Sequence, residues 1–140
     1  MITYNGTLKV SAHEFYATML EQMAADINQK TGRTMSGKDL EKGCRYKIKT
    51  KRGNKIYESL IDIEKPVRDQ KISSTYTIDG KTYKMIYEIK PLEEFLTEVT
   101  YIQDDGTDKN GFFARRLVES NTKTRFKEFE KYIIKNRNNE

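Results

Sequence analysis

The dipeptide Asp79-Gly80 stands at the centre of an alternating stretch and constrains the fold more than any other feature of the chain. Asp-Gly between alternating apolar residues is a strong β-hairpin signal, because both residues tolerate the positive φ of a two-residue turn. Folding the chain there sets Lys71 against Glu88 on one face. The other face then pairs Ile72 with Tyr87, Ser74 with Met85 and Tyr76 with Tyr83. A turn at Gly53-Asn54 acts in the same way upstream. It places Lys49 opposite Glu58 and Arg45 opposite Asp62, with Thr50–Tyr57, Tyr46–Ile61 and Cys44–Ile63 on the reverse face. Side chains alternate with a period of two, so a slip of one residue would put the charges among the apolar groups. A further strand is predicted over about 96–103, carrying Val99 and Tyr101. Pro91 is expected to end the strand before it, since proline cannot donate to the ladder.

The flanks read as a strand and two main helices. Ile2, Tyr4, Leu8 and Val10 fall on even positions, which predicts an opening strand with one buried face. Ser11-Ala12-His13-Glu14 then has the spacing of a capping box. Phe15, Met19, Met23 and Ile27 follow four apart, with Ala12, Tyr16, Leu20 and Ala24 beside them. That pattern predicts an amphipathic helix of about five turns, ending near Lys30. Residues 112 to about 136 predict a long last helix with a stripe of Val118, Thr122, Phe126, Phe129 and Ile133. The stripe is polar around Asn121 and Thr124. The loop at 104–110 holds three aspartates but lacks the order and the closing glutamate of a calcium loop.

The stretch Gly32-Arg33-Thr34-Met35-Ser36-Gly37-Lys38-Asp39 approaches a phosphate-binding loop, with a lysine after the second glycine. Such a loop needs a Ser or Thr next, and a strand before it. Here the next residue is the carboxylate Asp39, and residues 24–31 read as the end of a helix. The stretch is therefore predicted to be helix punctuation. Gly32 is a left-handed stop, and Ser36 is an N-cap to which Asp39 reaches back.

At 140 residues the chain is expected to form a single domain over 1–140. Its 36% hydrophobic content is modest, but the strong patterning argues against disorder. No apolar run approaches the roughly 20 residues of a membrane span, and no leader peptide is visible. Cys44 is the only cysteine, which fits a cytoplasmic location and excludes an internal disulfide. One cysteine and one histidine cannot make a structural zinc site, and no cofactor is expected. The net charge of +5 comes from 26 basic and 21 acidic residues scattered along the chain. Acids face the basic row Arg45, Lys47, Lys49 and Lys51, which reads as a solvated sheet face and not a nucleic-acid patch. His13 is expected in solvent, without the partner and pocket that a general base needs.

The order of elements (strand, capped helix, short helix, five antiparallel strands, long helix) resembles the START or pollen-allergen-like helix-grip superfamily. Leu8-Lys9-Val10-Ser11-Ala12-His13-Glu14-Phe15-Tyr16 is similar to its strand-to-helix opening. Glu98-Val99-Thr100-Tyr101, a loop, then Gly111-Phe112-Phe113 and a basic-aromatic helix are similar to its ending. More narrowly, the chain resembles a Gram-positive bacterial family known only as a domain of unknown function. The resemblance implies an α+β helix-grip fold, in which a curved antiparallel sheet of about six strands wraps the last helix and ligands sit between them. One departure is Glu119-Ser120-Asn121-Thr122-Lys123-Thr124, more polar than that helix usually is, which argues against a large greasy cavity.

The inward face of the sheet is rich in tyrosine: Tyr46, Tyr57, Tyr76, Tyr83, Tyr87 and Tyr101. Each supplies ring area and a hydroxyl that wants a partner when buried. Such a face suits a small amphipathic ligand, and it equally suits a closed core with hydroxyls at the rim. The candidate ligand-binding residues are Tyr46, Tyr76, Tyr83, Met85, Tyr87, Tyr101, Val118, Thr122 and Phe126. This inward set holds no charge, whereas Glu58, Asp62, Glu88 and Glu98 fall on outer or ambiguous faces. A cyclase or hydrolase would need an acid or base facing the cavity, so a non-catalytic binding module is favoured. The alternative is a protein-interaction or scaffold domain with a filled core. Neither ligand nor protein partner is named by the sequence.

Overall fold

The computed structural model describes residues 1–106 and 111–137. Its elements are β1 (Ile2–Leu8), α1 (Ala12–Thr31), α2 (Gly37–Leu40), β2 (Cys44–Arg52), β3 (Lys55–Ile63), β4 (Lys71–Ile78), β5 (Lys81–Glu93), β6 (Leu96–Asp104) and α3 (Phe112–Arg137). The six strands form one curved antiparallel sheet in the order β1-β6-β5-β4-β3-β2. Strands β1 and β2, neighbours in sequence, thus lie at opposite edges. The helices α1 and α2 make the crossing between them.

Both central hairpins have the predicted register. Lys49 lies opposite Glu58, Arg45 opposite Asp62 and Tyr46 opposite Ile61. Lys71 lies opposite Glu88, Ile72 opposite Tyr87 and Tyr76 opposite Tyr83. Asp79 and Gly80 take φ values of 51° and 76°, the two positive angles that a type I′ turn demands. One detail differs. Glu58 forms its ion pair with Lys47, at 3.3 Å, and not with Lys49 opposite. Strand twist and long side chains bring such diagonal neighbours within reach.

Pro91 does not end a strand. β5 continues to Glu93, with Pro91 opposite Thr97 and a register shift between Pro91 and Glu93. The reason lies on the other side of β5. The pairing with β4 stops at Glu88, and the N–H of Ile89 donates to the carbonyl of Gln70 at 2.7 Å. Two residues on, the nitrogen of Pro91 points the same way, beyond the end of β4. No ladder bond is missing there, so the proline is tolerated at a local edge.

The caps follow the sequence pattern closely. The N–H of Glu14 donates to the Ser11 hydroxyl at 3.0 Å, and the N–H of Ser11 donates to Glu14 Oε1 at 2.9 Å. Gly32 closes α1 in the left-handed region at φ 74°. At α2 the Asp39 carboxylate accepts from the Ser36 N–H at 2.8 Å. The Ser36 hydroxyl also donates to that carboxylate, at 3.2 Å.

The core lies between the concave sheet face and the helices. β1 contributes Ile2 and Leu8, and α1 contributes Phe15, Tyr16, Leu20, Ala24 and Ile27. α3 runs over β1, burying Thr122, Phe126 and Ile133. The polar middle of α3 fits because Thr122 satisfies itself, donating its hydroxyl to the carbonyl of Val118 at 2.7 Å. Asn121, Lys123 and Thr124 beside it are exposed. Part of the aspartate loop, 107–110, lies outside the described residues. Among those described, no helix is long and apolar enough to cross a membrane.

Candidate ligand site

Phe15 sits in the first turns of α1 with its ring against three others. It lies 6.3 Å from Tyr87 of β5, and 6.4 and 5.1 Å from Phe126 and Phe129 of α3. The helical spacing that put Phe15 on the buried face of α1 therefore also places it where both helices meet the sheet. Around this cluster opens a cleft of about 400 Å³. α1 supplies Phe15, Met19 and Gln22, β5 supplies Tyr87, and α3 supplies Arg125, Phe126, Glu128, Phe129 and Tyr132. Its volume falls within the range of small-molecule sites, roughly 300–1,000 Å³.

Tyr87 and Arg125 stand at the polar end of this cleft, with the buried Tyr101 behind them. The Tyr87 and Tyr101 rings lie 5.0 Å apart, and the Arg125 guanidinium carbon stands 5.5 Å over the Tyr101 ring. Burial pushes both phenol groups up from their ordinary value, while the charge of Arg125 pulls the other way. The Tyr101 hydroxyl donates to Gln103 Oε1 at 2.9 Å. Arg125 donates to the Thr122 hydroxyl at 3.4 Å, and no ion pair to it is present among the described residues.

A second, smaller cleft of about 210 Å³ lies further along α1. Met23, Asp26 and Lys30 cover Tyr46, Ile48, Ile61, Ile63, Ser74, Tyr76 and Met85 there. Burial, with the charge of Asp26 adding to it, pushes the Tyr46 phenol up to about 12. The hydroxyls of Tyr76 and Ser59 bond to each other at 3.0 Å.

The candidate residues read from sequence are thus spread over more than one space. Tyr87 and Phe126 line the larger cleft, and Tyr46, Tyr76 and Met85 line the smaller. Val118 borders a shallow opening with Gln103, Asn121, Thr124 and Arg125. Tyr101 and Thr122 are buried behind these surfaces, and the Tyr83 ring lies 6.4 Å from that of Tyr76, tilted by 50°. α1 separates the two clefts, because its residues 15–22 wall one and 23–30 wall the other.

No charged side chain is buried among the described residues, but exposed charges stand at the rims of both clefts. Arg125 and Glu128 line the larger cleft, and Asp26 and Lys30 the smaller. The sheet contributes no charge to either, as its registers imply; the helices do. Arg125 was legible in principle. It falls seven residues after Val118 and four before Phe129, on the same helical stripe. His13 stays outside, exposed and 2.9 Å from Asp69.

Six curved strands gripping a C-terminal helix, with a helix after the first strand, define the START-like helix-grip fold. Solved structures carry the same arrangement at low identity. A START superfamily protein from Mycobacterium smegmatis superposes with a TM-score of 0.55 at 13% identity, covering 96% of this chain and 97% of that one. Ara h 8.0201 superposes at 0.58 with 10% identity, over 96% and 97% of the two chains. DynU16, from the dynemicin biosynthetic locus, superposes at 0.60 with 7% identity over 94% of this chain, which spans 46% of DynU16. No curated protein matches the sequence. Residues 3–120 match the model described as Domain of unknown function (DUF3284), and the chain belongs to that family.

Proposed function

We propose that this protein is a non-catalytic binding module that holds a small amphipathic molecule in the cleft between α1, α3 and β5. The observation that carries this reading is the composition of the cleft wall. Met19, Phe129 and the edge of Phe126 offer apolar surface over the fully buried Phe15, while Tyr87, Gln22 and Arg125 bring polar groups to the same wall. Apolar walls with a few placed polar groups are the usual make-up of a small-molecule site. The shared helix-grip fold supports the same reading. Catalysis finds less support. Glu128, the carboxylate of this cleft, is exposed and has no hydrogen-bonding partner among the described residues to orient it as a base. The test is an NMR titration with amphipathic aromatics and fatty acids. Shifts centred on Phe15, Tyr87, Phe126 and Phe129 are expected, and a set of compounds that leaves all four unmoved would end the proposal.

A protein-interaction role is the second reading, and one observation favours it. Phe112, Phe113 and Leu117 at the start of α3 are 66%, 84% and 63% exposed. Under this reading Phe113→Ser abolishes co-purification of a partner from the native host. Small-molecule titrations would stay unchanged.

A further inference from the structure

Arg125 brings a permanent positive charge to a cleft that is otherwise mostly aromatic. An arginine guanidinium carries a positive charge and five donors in a planar fork. One donor reaches the Thr122 hydroxyl at 3.4 Å, and the group lies over the Tyr101 ring at 5.5 Å. No carboxylate forms an ion pair with it among the described residues. By contrast, Arg45 and Arg137 are each held by an acid.

Resting on the binding-module reading above, we infer that the ligand is an amphipathic monoanion whose carboxylate pairs with Arg125. A guanidinium fork matches a carboxylate with two parallel N–H···O bonds, and the pair gains specificity as well as energy. The Tyr101 ring lies 5.5 Å beneath the guanidinium carbon, and the Tyr87 phenol on the same cleft wall is a further donor. Met19 and Phe129 then take the apolar tail above the fully buried Phe15 ring, and the unbranched Met19 side chain adapts to its shape.

Glu128 opposes this and limits the ligand. It lines the same cleft without neutralising Arg125. Both side chains are exposed to solvent, which screens each charge, but only the guanidinium also lies over a buried ring, that of Tyr101. The balance admits one negative charge and disfavours a dianion.

The experiment compares dodecanoate, dodecan-1-ol and dodecyltrimethylammonium by calorimetry, below their micellar concentrations, on the intact chain. The unaltered protein is expected to take dodecanoate about tenfold more tightly than the alcohol, the equivalent of one charge-assisted pair. Arg125→Gln should erase that preference, so that acid and alcohol bind with similar affinity. Arg125→Lys should keep part of it, because charge remains and the fork does not. Glu128→Gln should strengthen dodecanoate binding and leave the alcohol unchanged. Equal binding of acid and alcohol, or a preference that survives Arg125→Gln, overturns the anion inference alone. If none of the three compounds binds, the binding-module reading falls with it.

Discussion

Arg137 donates two hydrogen bonds of 2.7 Å to the carboxylate of Glu14, Nε to one oxygen and Nη2 to the other. The pair joins the last turn of α3 to the first turn of α1 across 123 residues of sequence. The same carboxylate accepts the Ser11 N–H that starts α1, and the Arg137 guanidinium covers the Phe95 ring at 4.4 Å. One glutamate therefore both caps a helix and clasps another.

Removing that clasp should cost stability in a pH-dependent way. Hydrogen bonding from Arg137 holds the Glu14 carboxyl below its ordinary 4.5, against burial, which pulls upward. A carboxyl lowered in the folded state contributes fully above its unfolded value and loses the contribution as pH falls through the folded one. Glu14→Gln should thus cost about 1–3 kcal/mol near neutrality. Thermal melts of the two proteins should then converge as the pH drops below 4.5. A gap that widens on acidification would contradict the geometry.

Gly6 sets how closely α3 approaches β1. An alanine Cβ there would lie 2.9 Å from Cδ2 of Phe126 and 3.1 Å from Cε1 of Tyr4. Phe126 is buried against Tyr4 and Phe15 and has little room to yield. Overpacking of this kind costs typically 1–3 kcal/mol, so the urea midpoint of Gly6→Ala should fall by about that equivalent. An unchanged midpoint would mean that the helix rides higher than described.

The loop from Gly32 to Asp39 should bind no nucleotide. Its donors already hold protein carboxylates: the Gly37 N–H donates to Glu21 Oε1 at 2.8 Å, and the Ser36 N–H to Asp39 at 2.8 Å. A phosphate would have to displace two negative charges. A calorimetric titration with magnesium and ATP is expected to be flat. Heat that vanishes on Lys38→Ala would refute this.

The sheet was legible because its signals are local and redundant. Asp79-Gly80 fixes one turn, and charges such as Arg45 and Asp62 check the register of the other. Pro91 misled because its tolerance depends on where β4 stops, a fact of the neighbouring strand. The site was harder to read. Tyr87 and Phe126 were found from periodicity, but the path of α1 over the sheet sends Tyr46, Tyr76 and Met85 to a separate cleft. No local pattern encodes how two helices divide a concave surface. Arg125 does not stand out in a stripe defined by Val118, Phe126, Phe129 and Ile133, although a long polar side chain can share such a face.

The basic row on β2 has a consequence for how copies of this protein meet. β2 is the outermost strand on its side, paired only with β3; Arg33 covers its start by donating to the Arg45 carbonyl at 3.4 Å, and no strand pairs with the rest of its outer edge. Such an edge invites another chain to add a strand, the first step of edge-to-edge aggregation. Arg45, Lys47, Lys49 and Lys51 all lie exposed on one face of it. Acids pair with Arg45 and Lys47, but Lys49 and Lys51 have no such partner among the described residues. A second copy laid along this edge would bring lysine rows together across a few ångströms, where like charges are destabilising. The side chains that keep this face wetted thus also keep the molecules apart.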